Sequence, residues 1–214
     1  MIDVIRMRSV QIYEFLRANS WSSFFKEVIY RGRKAIVVKK ALCETKDRTE
    51  ILKQFNVEFI EIDRDSILSK KYRYRFKNRY LKALHYLGKG YGGHAIVKGD
   101  EIIGDIWYFA PGRFPGYHPD PKWLGIQLSK NDIYSFDIFL VPSERGSNFS
   151  ALLQNNAMHA LYKKGYENAF AFFWADNIPA VWNTRVVNKW KELKSLRMNR
   201  FLFLRKSDGY PGTS

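Results

Sequence analysis

Apolar positions along the chain recur with two periods. Residues 57–62, Val-Glu-Phe-Ile-Glu-Ile, alternate apolar and acidic, the pattern of a strand with one wetted face. Residues 34–38 are rich in β-branched side chains and predict a strand after a turn at Arg31-Gly32-Arg33. Residues 94–97 and 102–109, separated by Lys98-Gly99-Asp100-Glu101, predict an antiparallel hairpin. By contrast, Leu68, Tyr72, Phe76, Tyr80, Leu84 and Leu87 recur at three- or four-residue steps and predict a helix from Asp65-Ser66 to Gly88. Val4, Ile5, Ile12, Phe15 and Leu16 predict another helix over residues 2–18, followed by a short apolar segment at 21–30.

The second half is more regular. A strand over residues 133–141, a helix over 148–164 closed by Gly165 and a strand over 169–174 predict a parallel strand pair joined by a right-handed crossover. Pro179 suits the first turn of a helix reaching residue 187. Two strands at 190–196 and 200–204, joined near 197–199, and a frayed tail complete the pattern. Residues 44–50 read as a charged connection. Residues 110–132 hold Pro111, Pro115, Pro119 and Pro121 among several glycines, too irregular for an element and long enough for a binding loop or lid.

Composition narrows the picture. With 214 residues, 46% of them hydrophobic, the chain can bury one sizeable core, and length favours one domain, 1–214. The single cysteine, Cys43, excludes an intramolecular disulfide. Charges scattered through the first ten residues, and the lack of any apolar run near the ~20 residues of a membrane span, predict a cytoplasmic protein without a transmembrane segment. The net charge of +15 is concentrated: residues 65–89 carry eight Lys or Arg against one Asp, and residues 185–206 carry eight against one Glu. Such stretches fit anionic partners (cofactor phosphates, an acidic carrier protein, an anionic substrate, nucleic acid, an anionic membrane face) or simply solvated surfaces. The aromatic residues of 65–89 fit a core stripe better than base stacking, so nucleic acid is not favoured.

The candidate chemistry lies at Arg145-Gly146-Ser147-Asn148, where a strand gives way to a helix. Backbone amides and a helix amino end converge there on the place of an anion, with Arg145 adding charge. Leu140-Val141-Pro142-Ser143-Glu144-Arg145-Gly146-Ser147-Asn148-Phe149-Ser150 also resembles the cofactor motif of the GNAT superfamily of acyl-CoA-dependent N-acyltransferases, a V-x-P strand end followed by R/Q-x-x-G-x-G/A. The preceding hairpin and Asn177-Ile178-Pro179-Ala180, matching the family's N-x-P-A, extend the resemblance over about residues 32–206. It implies an α/β (α+β) fold, a mixed, mostly antiparallel sheet with a central splayed strand pair flanked by helices. Residues 1–31 would be a helical extension and 207–214 a flexible tail.

The resemblance implies an N-acyltransferase using acetyl-CoA or another acyl-CoA, in which a primary amine attacks the thioester within a ternary complex. Phe139, Leu140, Val141, Arg145, Gly146, Ser147, Asn148, Phe149, Ser150 and Asn177 would hold the cofactor, with backbone amides near 139–141 polarising the thioester carbonyl. Asp137, on the same strand, is the candidate base; an Asp facing solvent from a strand edge is the alternative. Tyr117, His118 and Trp174 are candidates for the acceptor pocket. His118 and Asp120 read as a loop contact, a catalytic pair or metal ligands, and without a Cys/His cluster no metal is expected. The family's proton-donating Tyr is replaced by Thr184, its Gly-Phe by Asn188-Lys189, and its small residues by Asn148 and Ser150. Two other classes stay open: a non-catalytic acyl-CoA-binding or polyanion-binding protein on the same fold, and an acyltransferase whose donor is acyl carrier protein or aminoacyl-tRNA. The acceptor is a small molecule or an anionic amine.

Overall fold

The computed structural model describes residues 9, 10, 13, 29–112, 117–201 and 204–207. The helix expected over 2–18 and the tail beyond 207 fall almost wholly outside them. Among the described residues nine strands form one sheet: β1 (Ile29–Ala41), β2 (Glu58–Glu61), β3 (Arg73–Tyr74), β4 (Gly92–Lys98), β5 (Glu101–Phe109), β6 (Asp132–Leu140), β7 (Asn168–Trp174), β8 (Lys191–Phe201) and β9 (Leu204–Ser207). Their order is β2-β4-β5-β6-β7-β1-β8-β9, with β3 beside β5. Among these strands β6 with β7 and β3 with β5 run parallel, and the other pairs of the described residues are antiparallel. This is the expected mixed, mostly antiparallel sheet. β1 lies between β7 and β8 and pairs with both, so the first strand joins the C-terminal half of the sheet.

Period-two alternation sends neighbouring strand residues to opposite faces. Ile36, Val38, Ile96, Ile106, Tyr108 and Ile133 share one core with Phe149, Leu153, Met158 and Leu161 of the long helix α5 (Phe149–Lys163). Leu52 of α1 (Thr49–Lys53) joins the same face. Val37, Ala95, Trp107, Tyr134 and Phe170 pack on the other face under α2 (Arg64–Leu68), α3 (Lys77–Gly88) and α4 (Asp120–Leu124). Each fully buried Leu or Met contributes about 2 kcal/mol of burial free energy, so the two-sided core fixes the strand register. After β7, α6 (Ile178–Val181) continues into a π-helical turn, Trp182–Val187. Among the described residues no helix is long and apolar enough to cross a membrane.

Several elements differ from the sequence reading. The single helix expected from Asp65 to Gly88 is α2, β3 and α3. Tyr72, Tyr74 and Phe76 alternate as well as they step helically; Lys70 takes a left-handed φ of 61°, and Arg73 donates its amide to the Asp100 carbonyl at 2.8 Å. Asp63, not Asp65, caps α2, accepting from the Ser66 amide at 2.8 Å. The turn at Arg31–Arg33 is a bulge inside β1, where Gly32 has φ 66° and donates to the Asn199 side chain at 2.7 Å. The charged connection contains α1, whose Thr49 amide bonds to Asp47. The break expected near 197–199 falls after Phe201, because β1 pairs with β8 through that stretch.

Candidate active site

β6 and β7 pair only through Asp132↔Asn168, Ile133↔Ala169 and Tyr134↔Phe170. Both continue, to Leu140 and Trp174, without further pairing, so the sheet parts between them. A bulge in β6 accompanies the parting. Asp105 faces Phe139 and Trp107 faces Phe136, three steps along β6 against two along β5, and Asp137 sits in the bulge at φ 51°. An aspartate tolerates that left-handed conformation better than most residues. Beyond it, the Val141 amide is committed to the Ile103 carbonyl at 2.8 Å. Alternation along the strand backbone therefore turns Leu140, not Val141, toward the open side.

The mouth of the opening is the turn between β6 and α5. A 3-10 turn, Pro142–Glu144, leads to Arg145, and Gly146 (φ 89°) and Asn148 (φ 64°) bend the backbone before Phe149. Nothing lies within 4 Å of where a Gly146 Cβ would stand, so glycine serves the dihedral there and not packing. Asn148 accepts the Ala151 and Leu152 amides on its carbonyl, but its side chain caps nothing, and the first turn of α5 holds no acidic residue. The positive end of a 15-residue helix is thus open beside the exposed Arg145, which has no ion pair among the described residues. Glu144 turns aside to Lys98, 3.6 Å away.

Beneath the bulge lies a buried charge cluster that sequence reading missed. Arg79 of α3, 5% exposed, pairs with Asp105, 0% exposed, and donates to both Asp137 oxygens at 3.1 Å. Lys82 reaches Asp137 at 2.7 Å and the Tyr86 hydroxyl donates to it at 2.9 Å. Burial pushes the Asp137 carboxyl up, but the charges of Arg79 and Lys82 and the hydrogen bonds outweigh it and hold the group well below the usual carboxylate range. Burial dominates at Asp105, whose carboxyl is raised despite Arg79. In sequence, Arg79 looked like any other cation of a basic segment; the one signal was Asp105, alone in the apolar run Ile102-Ile103-Gly104-Asp105-Ile106.

The cluster also changes the meaning of the charge. Arg73 pairs with Asp100, Arg75 with Glu101, and Arg79 and Lys82 with the cluster, so half the cations of residues 65–89 are neutralised within the chain.

The other expected residues separate into groups. Asp137, Phe139 to Val141 and Arg145 to Ser150 gather at the end of β6. Trp174 and Asn177 stand at the end of β7, Asn177 capping α6 by accepting from the Ala180 amide at 3.3 Å. Arg33 stacks on Trp174 at 4.6 Å while pairing with Asp176. The Ser150 hydroxyl accepts from Asn183 at 3.2 Å, and Asn183 is linked through Asn188 to Gln154. Thr184 is buried. His118 is a core residue, packed on Phe136 at 4.3 Å and Tyr134 at 5.0 Å, with burial lowering its pKa and Nδ1 accepting the Asp120 amide. Tyr117 is exposed. Among the described residues no group of three His, Cys, Asp or Glu could hold a metal ion.

No protein-family model matches the chain and no curated protein does. Solved structures do. The glucosamine N-acetyltransferase region of a fungal multi-domain GH3 β-N-acetylglucosaminidase superposes with a TM-score of 0.59 at 16% identity, over 82% of this chain and 22% of that one. A tandem GNAT protein from the clavulanic acid biosynthesis pathway gives 0.51 at 8% identity, over 84% and 57%. A GCN5-related N-acetyltransferase from Sphaerobacter thermophilus gives 0.51 at 9%, over 86% and 55%. The chain therefore spans about a fifth of the first and a little over half of the other two. With its parted strand pair, its bulge and the open helix end at their mouth, the chain has the GNAT fold.

Proposed function

We propose that the chain is an acyl-CoA-dependent N-acyltransferase, carrying an acyl group, acetyl in the simplest case, to a primary amine. The parting of β6 from β7 beside the uncapped end of α5 carries this reading. The residues fit the cofactor: the turn at 145–150 offers amides and a cation to a pyrophosphate, and the open edge of β6 offers the Leu140 backbone to pantetheine. When bound, acyl-CoA would supply the activated thioester for acylation of the amine with release of the free thiol, the turn at 145–150 holding its pyrophosphate and the Leu140 backbone its pantetheine.

Asp137 suits the expected role of base poorly. Three donors stabilise its anion, which makes it a weak proton acceptor. We assign it instead to holding the bulge, a positioning role, and assign the proton transfers to water. Asp137→Asn keeps the tolerance for positive φ and a hydrogen bond to Tyr86, so its kcat should stay within about tenfold of wild type; a general base would lose ~10²–10⁴-fold. Steady-state thiol release from acetyl-CoA with a panel of primary amines measures this.

Calorimetric titration with acetyl-CoA tests the reading itself. Saturable binding with amine-dependent thiol release is expected; folded protein that fails to bind the cofactor at millimolar concentration sinks it. Binding without release over the amine panel would favour the non-catalytic reading, which the buried Thr184 and the restrained Asp137 also fit. The internal ion pairs of residues 65–89 remove much of the charge that motivated nucleic acid, aminoacyl-tRNA or acyl carrier protein as a partner at that surface.

A further inference from the structure

A second group of cations converges elsewhere. Three segments distant in sequence meet beside α5 and enclose a cleft of about 210 Å³: the end of β1 with the segment after it, the middle of α5, and the turn entering β8. Lys40, Lys46, Arg48 and Lys189 line it against one carboxylate, Glu44. Lys40, 8% exposed, pairs with Glu44 at 2.8 Å. Lys46, Arg48 and Lys189 have no ion pair among the described residues. Lys191, whose charge also bears on Glu44, stands directly across from Lys39 on the β1–β8 pair. Like charges opposed across two strands destabilise them, and among the described residues Glu44 is the one carboxylate that lines the cleft.

Both walls are held by side chains of buried polar residues, which separates this cleft from a chance meeting of surface lysines. Asn155, 8% exposed, lines the cleft and donates to the Lys46 carbonyl at 2.7 Å, while Asn156 accepts the Arg48 amide at 2.9 Å. These bonds tie the segment bearing Lys46 and Arg48 to α5. On the other wall Asn188 donates to Gln154 at 2.8 Å and to the Ala151 carbonyl at 3.3 Å, fixing the turn in which Lys189 takes a left-handed φ of 53°. A non-glycine residue held in that region marks a conformation imposed by its surroundings.

We propose that this cleft binds the phosphate group of a small ligand. Its volume admits a phosphate and little more than a small organic body, and its uncompensated charge suits a dianion. The phosphate could belong to a free phosphorylated molecule or to the far end of a nucleotide cofactor seated on the turn at 145–150. Asn155 lies five residues beyond Ser150, about 7.5 Å along the helix axis, within the span of such a cofactor. The cleft itself does not depend on the acyltransferase reading; only the second source does.

Titration of the full chain with inorganic phosphate, followed by calorimetry or amide NMR, tests the proposal. Wild type should bind saturably. Lys46→Ala/Arg48→Ala/Lys189→Ala, all exposed side chains, should lose roughly tenfold or more in affinity with an unchanged melting temperature. Glu44→Gln, which removes the one carboxylate and frees Lys40, should bind roughly threefold more tightly. A tightening is not what general damage produces. Absence of saturable binding, or equal affinity in wild type and the triple variant, overturns the proposal. The source is read from CoA against dephospho-CoA. A preference for CoA that disappears in the triple variant assigns the cleft to the cofactor's terminal phosphate; equal binding of the two, with phosphate still bound, assigns it to a free ligand. If phosphate binds and neither CoA form does, the cleft stands and the acyltransferase reading falls.

Discussion

Arg79→Met is expected to destabilise the protein by about 3–5 kcal/mol at neutral pH, because it strands a fully buried carboxylate without its counter-charge. Methionine keeps an aliphatic stem near Phe139, over which the guanidinium now lies at 4.6 Å, so the loss reports charge more than volume. The pH dependence identifies its source. Asp105 is already raised by burial, and without Arg79 it rises further. A carboxyl whose folded pKa exceeds its unfolded value of ~3.9 opposes folding when ionised, so the variant should gain stability as pH falls from 7 toward that value. Asp137 in the wild type has the opposite sign: its depressed pKa contributes stability that is complete above ~pH 4 and is lost only as pH falls well below it. Urea unfolding at pH 7 and pH 5 separates them. A variant equally destabilised at both values would exclude Asp105, and adding Asp105→Asn should flatten the pH slope and recover part of the loss.

Asn148→Asp should weaken acetyl-CoA binding by about thirtyfold, near 2 kcal/mol, while leaving stability unchanged or slightly raised. The substitution is isosteric, and aspartate accepts the left-handed φ of 64° as asparagine does. It places a negative charge at the open end of α5, favourable to the helix dipole and unfavourable to a pyrophosphate on the same amides. Thermal melting and calorimetric titration on one preparation give both signs. Unchanged affinity would move the phosphates off this turn, whereas a parallel fall in stability and affinity would mean only a damaged fold.

The sequence made the C-terminal half legible because its signals agree. Residues 133–174 show an apolar strand, a long helix closed by Gly165 and a second apolar strand, set apart by clear turn signals, and β6, α5 and β7 lie within a residue or two of expectation. Residues 65–88 carried two periods at once, since aromatics at every second and every fourth position satisfy both a strand and a helix. The pairing of Arg73 and Tyr74 with Glu101 and Ile102 decided between them, and no local pattern records that contact. The site divided in the same way. The turn at 145–150 was visible as adjacent residues, whereas the restraint on Asp137 comes from a helix more than 50 positions earlier. Charge behaved likewise: net sums over segments cannot distinguish Arg79, consumed inside the fold, from Lys189, left unpaired.

The place of β1 between β7 and β8 has a kinetic side. Ala35, Ile36, Val37 and Val38 are almost wholly buried, yet the strands that cover the edges of β1 begin at Asn168 and Lys191. During synthesis this apolar strand is made more than a hundred residues before either neighbour, with both rows of backbone donors and acceptors unpaired. Closing contacts of such sequence separation is slow, and the collapsed chain before closure offers a ready template for pairing with another copy. The C-terminal half of the sheet therefore completes late, and slow release of nascent chains or holding by a chaperone would benefit residues 29–41 more than any other segment described.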